Sequence, residues 1–190
     1  MYQKYNTEAL VIGSHESGEN DRTIILYTKD FGLVRARARA VRSEASRMRY
    51  GLQNYSLSYV SLVRGKASWR VAGASALRYA SGDLRGLAAF ARICELVMRL
   101  VHGEEENAYL YAVLAEAHSA LVREKTDAFG TIEIVCVARV LYALGYISAE
   151  ALGSALFTHT AYTGEHLEEA EMMRERLLSS INRAIAETQL

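Results

Sequence analysis

The sequence predicts two consecutive parts of different class, an all-β domain over residues 1–80 and an all-α domain over residues 81–190. Short runs of β-branched and aromatic residues, separated by glycine-containing turns, fill the first 80 residues. After residue 83, apolar residues recur every three to four positions, the period of an amphipathic helix. The charge also divides, with 13 Lys and Arg against 6 Asp and Glu in residues 1–80 and 9 against 16 in residues 81–190. The net charge of the chain is zero, but the two net charges of +7 and −7 indicate a basic binding domain joined to an acidic one.

Five short strands are predicted in the basic domain. They span Thr7–Ile12, Thr23–Thr28, Val34–Arg42, Tyr55–Val63 and Ser68–Leu77. The fourth changes its apolar parity near Val60, as a β-bulge would cause, and Gly73 favours a bend in the fifth. Because little helical periodicity separates these strands, the pattern predicts a small barrel, and the five-stranded oligonucleotide-binding (OB) fold is the natural candidate.

The most unusual stretch is Gly32–Arg49, which holds six arginines against one acidic residue, Glu44. In its first half, Arg35, Arg37 and Arg39 alternate with small apolar residues. Because successive strand residues point to opposite faces, this pattern predicts a row of guanidinium groups about 6.6 Å apart on one face. That spacing is close to the distance between phosphates of an extended nucleic-acid strand, so the row can follow a phosphate backbone. The alternative is a solvated edge strand whose charge prevents aggregation.

The candidate DNA-binding residues are this row and the basic residues that flank it: Arg35, Arg37, Arg39, Arg42, Arg47, Arg49 and Lys66. The three arginines of the strand form the expected track, and the other four would extend it from adjoining loops. Three aromatic residues, Tyr50, Tyr55 and Trp69, are candidates for stacking on bases. Each of these three is also a candidate core residue, because large aromatic side chains are often buried.

The loop His15–Arg22 joins the first two strands and closes on Arg22 beside two carboxylates, Glu19 and Asp21. Its turn-forming residues predict a hairpin loop in which Arg22 bridges the carboxylates structurally. A metal site is disfavoured there, because the adjacent guanidinium competes for the same negative charge.

Other features exclude several classes of function. Cys94 and Cys136 lie in apolar periodic stretches and no C-x-x-C occurs, which predicts buried free thiols, a reducing cytoplasm and no cysteine zinc site. The absence of an apolar run of 18 residues predicts no membrane span, and the first residues do not form a leader peptide. The five histidines are scattered, and neither a glycine-rich phosphate loop nor a nucleophile paired with a base is readable. The sequence therefore predicts a non-catalytic protein without a cofactor or a metal.

Five helices are predicted in the acidic domain. They span about 84–101, Ala108–Glu124, Ala128–Leu144, about 148–157 and Glu165–Glu187. The candidate N-terminal caps of the first three are Ser81 or Asp83, Asn107, and Thr126 or Asp127. The third helix is apolar nearly all round, so we expect it at the centre of a bundle. Glu104–Glu106 is predicted to be a solvated loop, and His159 and His166 are predicted to be surface residues.

Five sequence features of the basic domain occur in a characteristic order. A strand opens on T-E-A at Thr7–Ala9, and a G-E-N-D-R loop follows at Gly18–Arg22. A T-x-x-x-G turn lies at Thr28–Gly32, the basic strand at Val34–Arg42 and an L-x-x-Y-S-L pattern at Leu52–Leu57. No single motif is specific, but their order and spacing over about 60 residues resemble the amino-terminal domain of the RecO family of DNA repair proteins.

The resemblance implies a DNA-binding mediator of recombinational repair with an OB-fold barrel followed by a helical domain. Its implied partners are single- and double-stranded DNA, RecR and the acidic, Phe-ended tail of single-strand-binding protein. Its implied activities are the annealing of complementary strands and assistance in loading RecA. Many members carry a four-cysteine zinc module, but the corresponding segment here, about residues 147–165, has no cysteine, and the chain is short for the family.

Two alternatives stay open from the sequence. The barrel could be a protein–protein adaptor that binds a partner through the same arginines, or an OB-fold that binds RNA, because backbone tracking does not read the 2′-hydroxyl. Salt-dependent binding to mixed-sequence oligonucleotides separates the adaptor from the nucleic-acid binder. Candidates for the basic rim of a pocket that receives the tail of single-strand-binding protein are Arg123, Lys125 and Arg139.

Overall fold

The computed structural model describes residues 3–66, 68–123, 128–152 and 155–188. The first part consists of five strands and one short helix: β1 Lys4–Glu16, β2 Arg22–Thr28, β3 Gly32–Ala38, α1 Met48–Gly51, β4 Leu57–Arg64 and β5 Trp69–Arg78. The helices of the second part are α2 Leu84–Leu100, α3 Ala108–His118 with a π-helical turn at Ser119–Arg123, α4 Phe129–Ala143, α5 Ala149–Leu152, α6 Ala155–Thr158, α7 Gly164–Met172 and α8 Arg174–Glu187. The predicted succession of strands and then helices is confirmed. Over the residues described, no helix combines the length and the apolar character needed to cross a membrane.

The five strands close into a barrel in the order β1-β2-β3-β5-β4. β1 is the longest strand, and its first half pairs with β4 whereas its second half pairs with β2. Its register against β2 shifts between Val11 and Gly13. Gly13 therefore lies within a bent strand instead of ending it, which explains why β1 extends beyond the predicted Thr7–Ile12. A short parallel pairing of β3 with β5 completes the ring.

The barrel interior is filled by apolar side chains. They include Ala9, Val11, Ile24, Leu26, Val34, Ala36, Val60, Leu62, Trp69 and Val71. Trp69 is only 4% exposed, and its ring centroid lies 5.5 Å from that of Tyr5 and 5.6 Å from that of Phe31. The prediction that Trp69 could stack on bases is therefore wrong, because its strand position points the indole into the core.

The burial pattern of β4 differs from the predicted change of parity. Ser58, Val60 and Leu62 are all buried, whereas Tyr59 is exposed, so one parity faces the core throughout this part of the strand. The buried Ser58 hydroxyl donates a hydrogen bond to the Gly51 carbonyl at 2.6 Å. Because this bond satisfies its hydroxyl, Ser58 can point into the core, where the sequence pattern predicted an apolar side chain.

The bulge predicted for β4 lies in its partner strand instead. Ser61 pairs with Gly73, whereas the next residue, Leu62, pairs with Val71. The unpaired residue, Ala72, therefore belongs to β5. Gly73 lies beside it, which agrees with the bend predicted at that glycine.

The segment that follows α2 belongs to the barrel by its contacts. Contacts between Cα atoms divide the chain into two compact units. The barrel unit is Met1–Ser81 with Val101–Tyr111, and the helical unit is Gly82–Leu100 with Ala112–Leu190. Gly32 has a φ of +60° and lies so close to the backbone of Glu105 that a Cβ would not fit. The Tyr111 hydroxyl donates a hydrogen bond to the Glu8 carboxylate at 3.2 Å. Contacts on both strands β1 and β3 thus hold this segment to the barrel.

In the helical unit, α4 has the central position that its apolar surface predicted. It contacts α2, α6, α7 and α8. Its buried residues include Ile132, Val135, Cys136, Ala138, Val140 and Leu141. At the start of α2, the Asp83 carboxylate accepts the N–H of Arg85 at 2.8 Å. In the barrel unit, the Asn107 amide oxygen accepts the N–H of Leu110 at 2.8 Å at the start of α3, so both of these predicted caps are confirmed.

Two predicted helices are divided in the structure. The predicted Glu165–Glu187 helix breaks at Met173 into α7 and α8, and α3 changes to a π-helical turn after His118. The apolar period continues across both breaks, so the sequence pattern does not mark them. Four predicted residues have side chains outside the described part of the chain: Arg123, Lys125, Thr126 and Asp127.

Arg139 of α4 is fully buried in the helical unit. Its Nε donates a hydrogen bond to the Leu156 carbonyl at 3.0 Å, and its Nη1 donates to the carbonyls of Thr160 at 2.9 Å and Ala161 at 3.1 Å. Its guanidinium carbon lies 4.8 Å from the centre of the Tyr162 ring. The prediction of Arg139 as a rim residue is wrong, because its donors are directed at the backbone of residues 156–161.

Candidate nucleic-acid interface

Strand β3 carries basic side chains on the outer face of the barrel. Its inward side chains are fully buried: Val34, Ala36 and Ala38. Arg35 and Arg37 alternate with them and are exposed, which confirms the predicted alternation along the strand. Arg39 is also exposed but lies in the turn just after the strand. We call Arg35, Arg37 and Arg39 the arginine row.

The turn after β3 is fixed by Asp21 of the loop between β1 and β2. Ala40 has a φ of +48°, which is unfavourable for a residue with a Cβ, and its N–H donates to the Asp21 carboxylate at 2.8 Å. The same carboxylate accepts a hydrogen bond from Arg37 Nε at 3.0 Å and lies 2.7 Å from Arg37 Nη2. The bonds from Ala40 and Arg37 lower the pKa of Asp21 below its ordinary value of 3.8, so the carboxylate is charged at neutral pH. Arg37 is therefore held in position while its side chain stays 48% exposed.

Arg42 is positioned by the last residue of β1 and by the same loop. Its Nη1 lies 3.1 Å from the Glu16 carboxylate, and its backbone N–H donates to the Asn20 carbonyl at 3.1 Å. The predicted bridge between Arg22 and the loop carboxylates is wrong, because no carboxylate of the described residues forms an ion pair with Arg22. Asp21 pairs instead with Arg37, and Glu16 pairs with Arg42, whereas Glu19 forms no ion pair with a described residue.

The remaining predicted residues lie in three places. Arg47 is exposed immediately before α1, and Lys66 is exposed in the turn between β4 and β5. Arg49, within α1, donates a hydrogen bond to the Tyr50 hydroxyl at 2.7 Å, and its guanidinium carbon lies 4.8 Å from that ring. Tyr50 is 48% exposed and Tyr55 is partly buried, so of the three aromatic candidates Tyr50 offers the most surface to a base.

Sequence reasoning missed Arg70, which extends the basic surface to a second strand. Arg70 is the direct partner of Arg37 in the parallel pairing of β3 with β5, so both side chains point to the same side of the sheet. The sequence signal for an outward Arg70 is its position between two apolar residues, Trp69 and Val71, which the structure buries. The alternation of inward and outward side chains in β5 is shorter than that in β3, and the bulge at Ala72 interrupts it. The pattern around Arg70 is therefore a weaker signal than that of the arginine row.

Arg22 was also missed, because its neighbours in space are distant in sequence. Together with Arg42 and Arg49 it lines a cleft of the barrel unit whose other lining residues are Val41 and Leu52. The structure therefore brings together two predicted DNA-binding residues, Arg42 and Arg49, and Arg22, which the sequence predicted to bridge the loop carboxylates.

The charge of this surface is only partly compensated. Arg37 and Arg42 pair with acids of the barrel unit itself, whereas Arg35, Arg39 and Arg47 form no ion pair with any described residue. The row thus lies together on β3 and the turn after it, and its one described ion pair, between Arg37 and Asp21, is within the barrel unit. Arg64 of β4 pairs with Glu104 at 3.4 Å, so the predicted solvated loop contributes one contact to the barrel.

The residues of the helical unit do not fit the zinc module of the family that the sequence resembles. Cys94 and Cys136 are buried free thiols, and burial raises the pKa of Cys136 to about 12, which disfavours the thiolate that zinc requires. The rings of His159 and His166 stack with centroids 5.2 Å apart, and His166 Nδ1 bonds the Thr163 hydroxyl at 2.9 Å. Within the described residues, no three His, Cys, Asp or Glu side chains come together as metal ligands.

Residues 1–78 match the family described as Recombination protein O N terminal. A protein of Dehalococcoides mccartyi named DNA repair protein RecO is 30% identical over 115 residues, which are 58% of this chain and 45% of the relative. A protein of the same name from Bifidobacterium animalis subsp. lactis is 33% identical over 128 residues, or 65% of this chain and 54% of the relative. A third, from Desulfitobacterium hafniense, is 40% identical over 63 residues, or 33% of this chain and 23% of the relative. The chain spans about half the length, or less, of these curated relatives.

Proposed function

This chain belongs to the RecO family, and on that premise we propose that it is a DNA-binding mediator of recombinational DNA repair. The proposal assigns the barrel to the OB type and makes it the DNA-binding part of a non-catalytic, cytoplasmic protein. It includes the annealing of complementary strands and, together with RecR, assistance in loading RecA onto DNA covered by single-strand-binding protein. Binding of the tail of single-strand-binding protein is part of the same proposal.

The observation that carries the proposal is the arginine row on the outer face of β3. Guanidinium groups present several donors in a plane and bind phosphate oxygens in pairs, and the small buried residues between them leave the outer face to these side chains. The ion pairs of Arg37 and Arg42 are partly exposed, so they hold the guanidinium groups in position but can be replaced by an incoming phosphate. The row can therefore neutralise successive phosphates of one strand.

Neutralised phosphates also provide a physical route to annealing. Each bound phosphate releases condensed counterions, so binding weakens steeply as salt rises. A strand whose charge is partly neutralised repels its complement less, which favours close approach of the two strands. Exposed Tyr50 can add a stacking contact of about 1–3 kcal/mol to one base.

Strand annealing on DNA coated with single-strand-binding protein tests this function. We expect the protein to accelerate annealing, and we expect the variant with Arg35, Arg37 and Arg39 all replaced by alanine to lose most of that acceleration. Equal acceleration by both proteins would contradict the role of the row. Competition between DNA and RNA oligonucleotides tests the RNA alternative, and absence of any salt-dependent oligonucleotide binding would instead favour an adaptor.

Asp21 is expected to limit DNA affinity, because its charge competes with phosphate for Arg37. Asp21→Asn removes that charge, while the amide oxygen can still accept the Ala40 N–H that fixes the turn. We expect DNA to bind about two- to fivefold more tightly at low salt, because an ion pair at the surface is weak and its loss frees Arg37 for phosphate. Fluorescence anisotropy with a labelled oligonucleotide measures this change.

Glu19→Gln is the matched control for Asp21→Asn. Both variants remove one negative charge from the same loop. Glu19, however, is exposed, and its side chain forms no ion pair or hydrogen bond with the described residues. A gain of equal size in both variants would show that only net charge matters. An unchanged or weaker affinity of Asp21→Asn would contradict competition for Arg37.

A further inference from the structure

A cleft of about 250 Å³ opens on the barrel unit beside the end of the arginine row. Its lining residues come from the start of β2, the segment after β3 and the region of α1: Arg22, Val41, Arg42, Arg49 and Leu52. Val41 and Leu52 are 3% and 2% exposed and belong to the barrel core, so they form an apolar floor of fixed shape. We call this site the arginine cleft.

The three guanidinium groups of the arginine cleft are only weakly compensated. Glu16, the carboxylate paired with Arg42, has a side chain 63% exposed, so a ligand anion can replace it at little cost. The partner of Arg49 is the neutral hydroxyl of Tyr50, which orients the guanidinium without cancelling its charge. Since Arg22 forms no ion pair with a described carboxylate, the cleft keeps a net charge of about +2 when Glu16 is counted.

This charge and size favour a phosphate that ends a strand over one within a strand. An internal phosphodiester carries one negative charge, whereas a phosphomonoester carries about 1.5 to 2 at pH 7 and has three strong acceptor oxygens. The volume is below the range of about 300–1,000 Å³ typical of pockets for drug-sized ligands. The cleft therefore suits a phosphate and part of its sugar, whose carbon atoms would contact the apolar floor, and not a complete nucleotide.

We propose that the arginine cleft binds the terminal phosphate of a DNA strand, while the arginine row binds the internal phosphates of the same strand. The inference rests on the proposed DNA-binding function and adds recognition of strand ends to it. The chain itself connects the two sites, because the turn at Ala40 joins Arg39 of the row to Arg42 of the cleft. A strand that begins in the cleft can thus continue along the row.

Binding of three oligonucleotides of one sequence tests this inference. They carry a 5′-phosphate, a 3′-phosphate or hydroxyls at both ends, and each has the same internal fluorophore for anisotropy at fixed ionic strength. We expect one phosphorylated form to bind about tenfold more tightly than the form with hydroxyl ends, as added charge-assisted hydrogen bonds would give. Which form gains identifies the strand end. Equal affinity of all three would overturn the inference but leave DNA binding intact, whereas no binding of any form would overturn both.

Arg22→Gln and Arg35→Gln separate the cleft from the row. We expect Arg22→Gln to reduce the preference for the phosphorylated end from about tenfold to about one, because one charge-assisted hydrogen bond to the terminal phosphate contributes about as much as this whole preference. Arg35→Gln should weaken all three oligonucleotides by a similar factor and keep the preference. Circular dichroism verifies that each variant is folded. If Arg22→Gln does not fold, Arg42→Gln, which changes an exposed side chain, replaces it as the cleft variant. An unchanged preference in the folded cleft variant would overturn the assignment.

Discussion

Replacing Arg35, Arg37 and Arg39 together by alanine is expected to weaken binding of single-stranded DNA by about a hundredfold or more at low salt. The reason is additive loss, since each arginine–phosphate contact contributes on the order of 1 kcal/mol net and about 1.4 kcal/mol corresponds to a factor of ten. The fold should persist, because these side chains are exposed and the buried residues between them are unchanged. Fluorescence anisotropy measures the affinity, and circular dichroism verifies the fold.

The matched control removes three arginines from the helical unit. Arg99, Arg176 and Arg183 are exposed, and their replacement by alanine changes the net charge by the same amount. We expect this control to lower DNA affinity by less than about threefold, because it changes the net charge of the protein but leaves the arginine row intact. An equal loss in both triple variants would show that the location of the arginines on β3 has no importance.

Arg139→Met is expected to destabilise the helical unit by about 3 kcal/mol. Methionine fills much of the same space, but it leaves the carbonyls of Leu156, Thr160 and Ala161 without the donors that now satisfy them. Each buried acceptor left unsatisfied costs about 1–3 kcal/mol, and some of these carbonyls can recover a bond to water. Urea unfolding followed by circular dichroism measures the change in the free energy of unfolding.

Arg99→Met is the control for this stability prediction. It makes the same chemical change at an exposed position of α2, and surface substitutions of this kind usually alter stability by at most about 0.5 kcal/mol. A change below about 1 kcal/mol for Arg139→Met would contradict the role assigned to the buried guanidinium. Retained DNA binding by a folded Arg139→Met protein would agree with a role confined to the helical unit.

The features that the sequence predicted well are those with a short, regular period. The alternation of arginine with alanine in β3 specifies both faces of the strand, because a shift by one residue would bury every guanidinium. The apolar surface of α4 likewise predicted its central position, since a helix that is apolar all round has to be covered on all sides. Both predictions needed only residues that are neighbours in sequence.

The features that the sequence did not predict depend on contacts between distant residues. Asp21 reads as one acid among several in a loop, and only the folded chain brings it to Arg37 and Ala40. The arginine cleft combines side chains from three segments of the chain, so no pattern of residues close in sequence predicts it. Arg139 resembled an exposed basic residue because its backbone acceptors lie many residues later in the chain. A charged residue within an apolar helix is the signal that such acceptors exist.

The salt dependence of single-stranded DNA binding tests the central claim most directly. The slope of log affinity against log salt concentration reports about 0.7 for each phosphate contacted on a single strand. We predict that replacing Arg35, Arg37 and Arg39 by alanine reduces the magnitude of this slope by about 2, whereas the control triple variant of the helical unit leaves it unchanged. Parallel slopes for the wild-type protein and the β3 variant would contradict the claim that the arginine row binds the phosphate backbone.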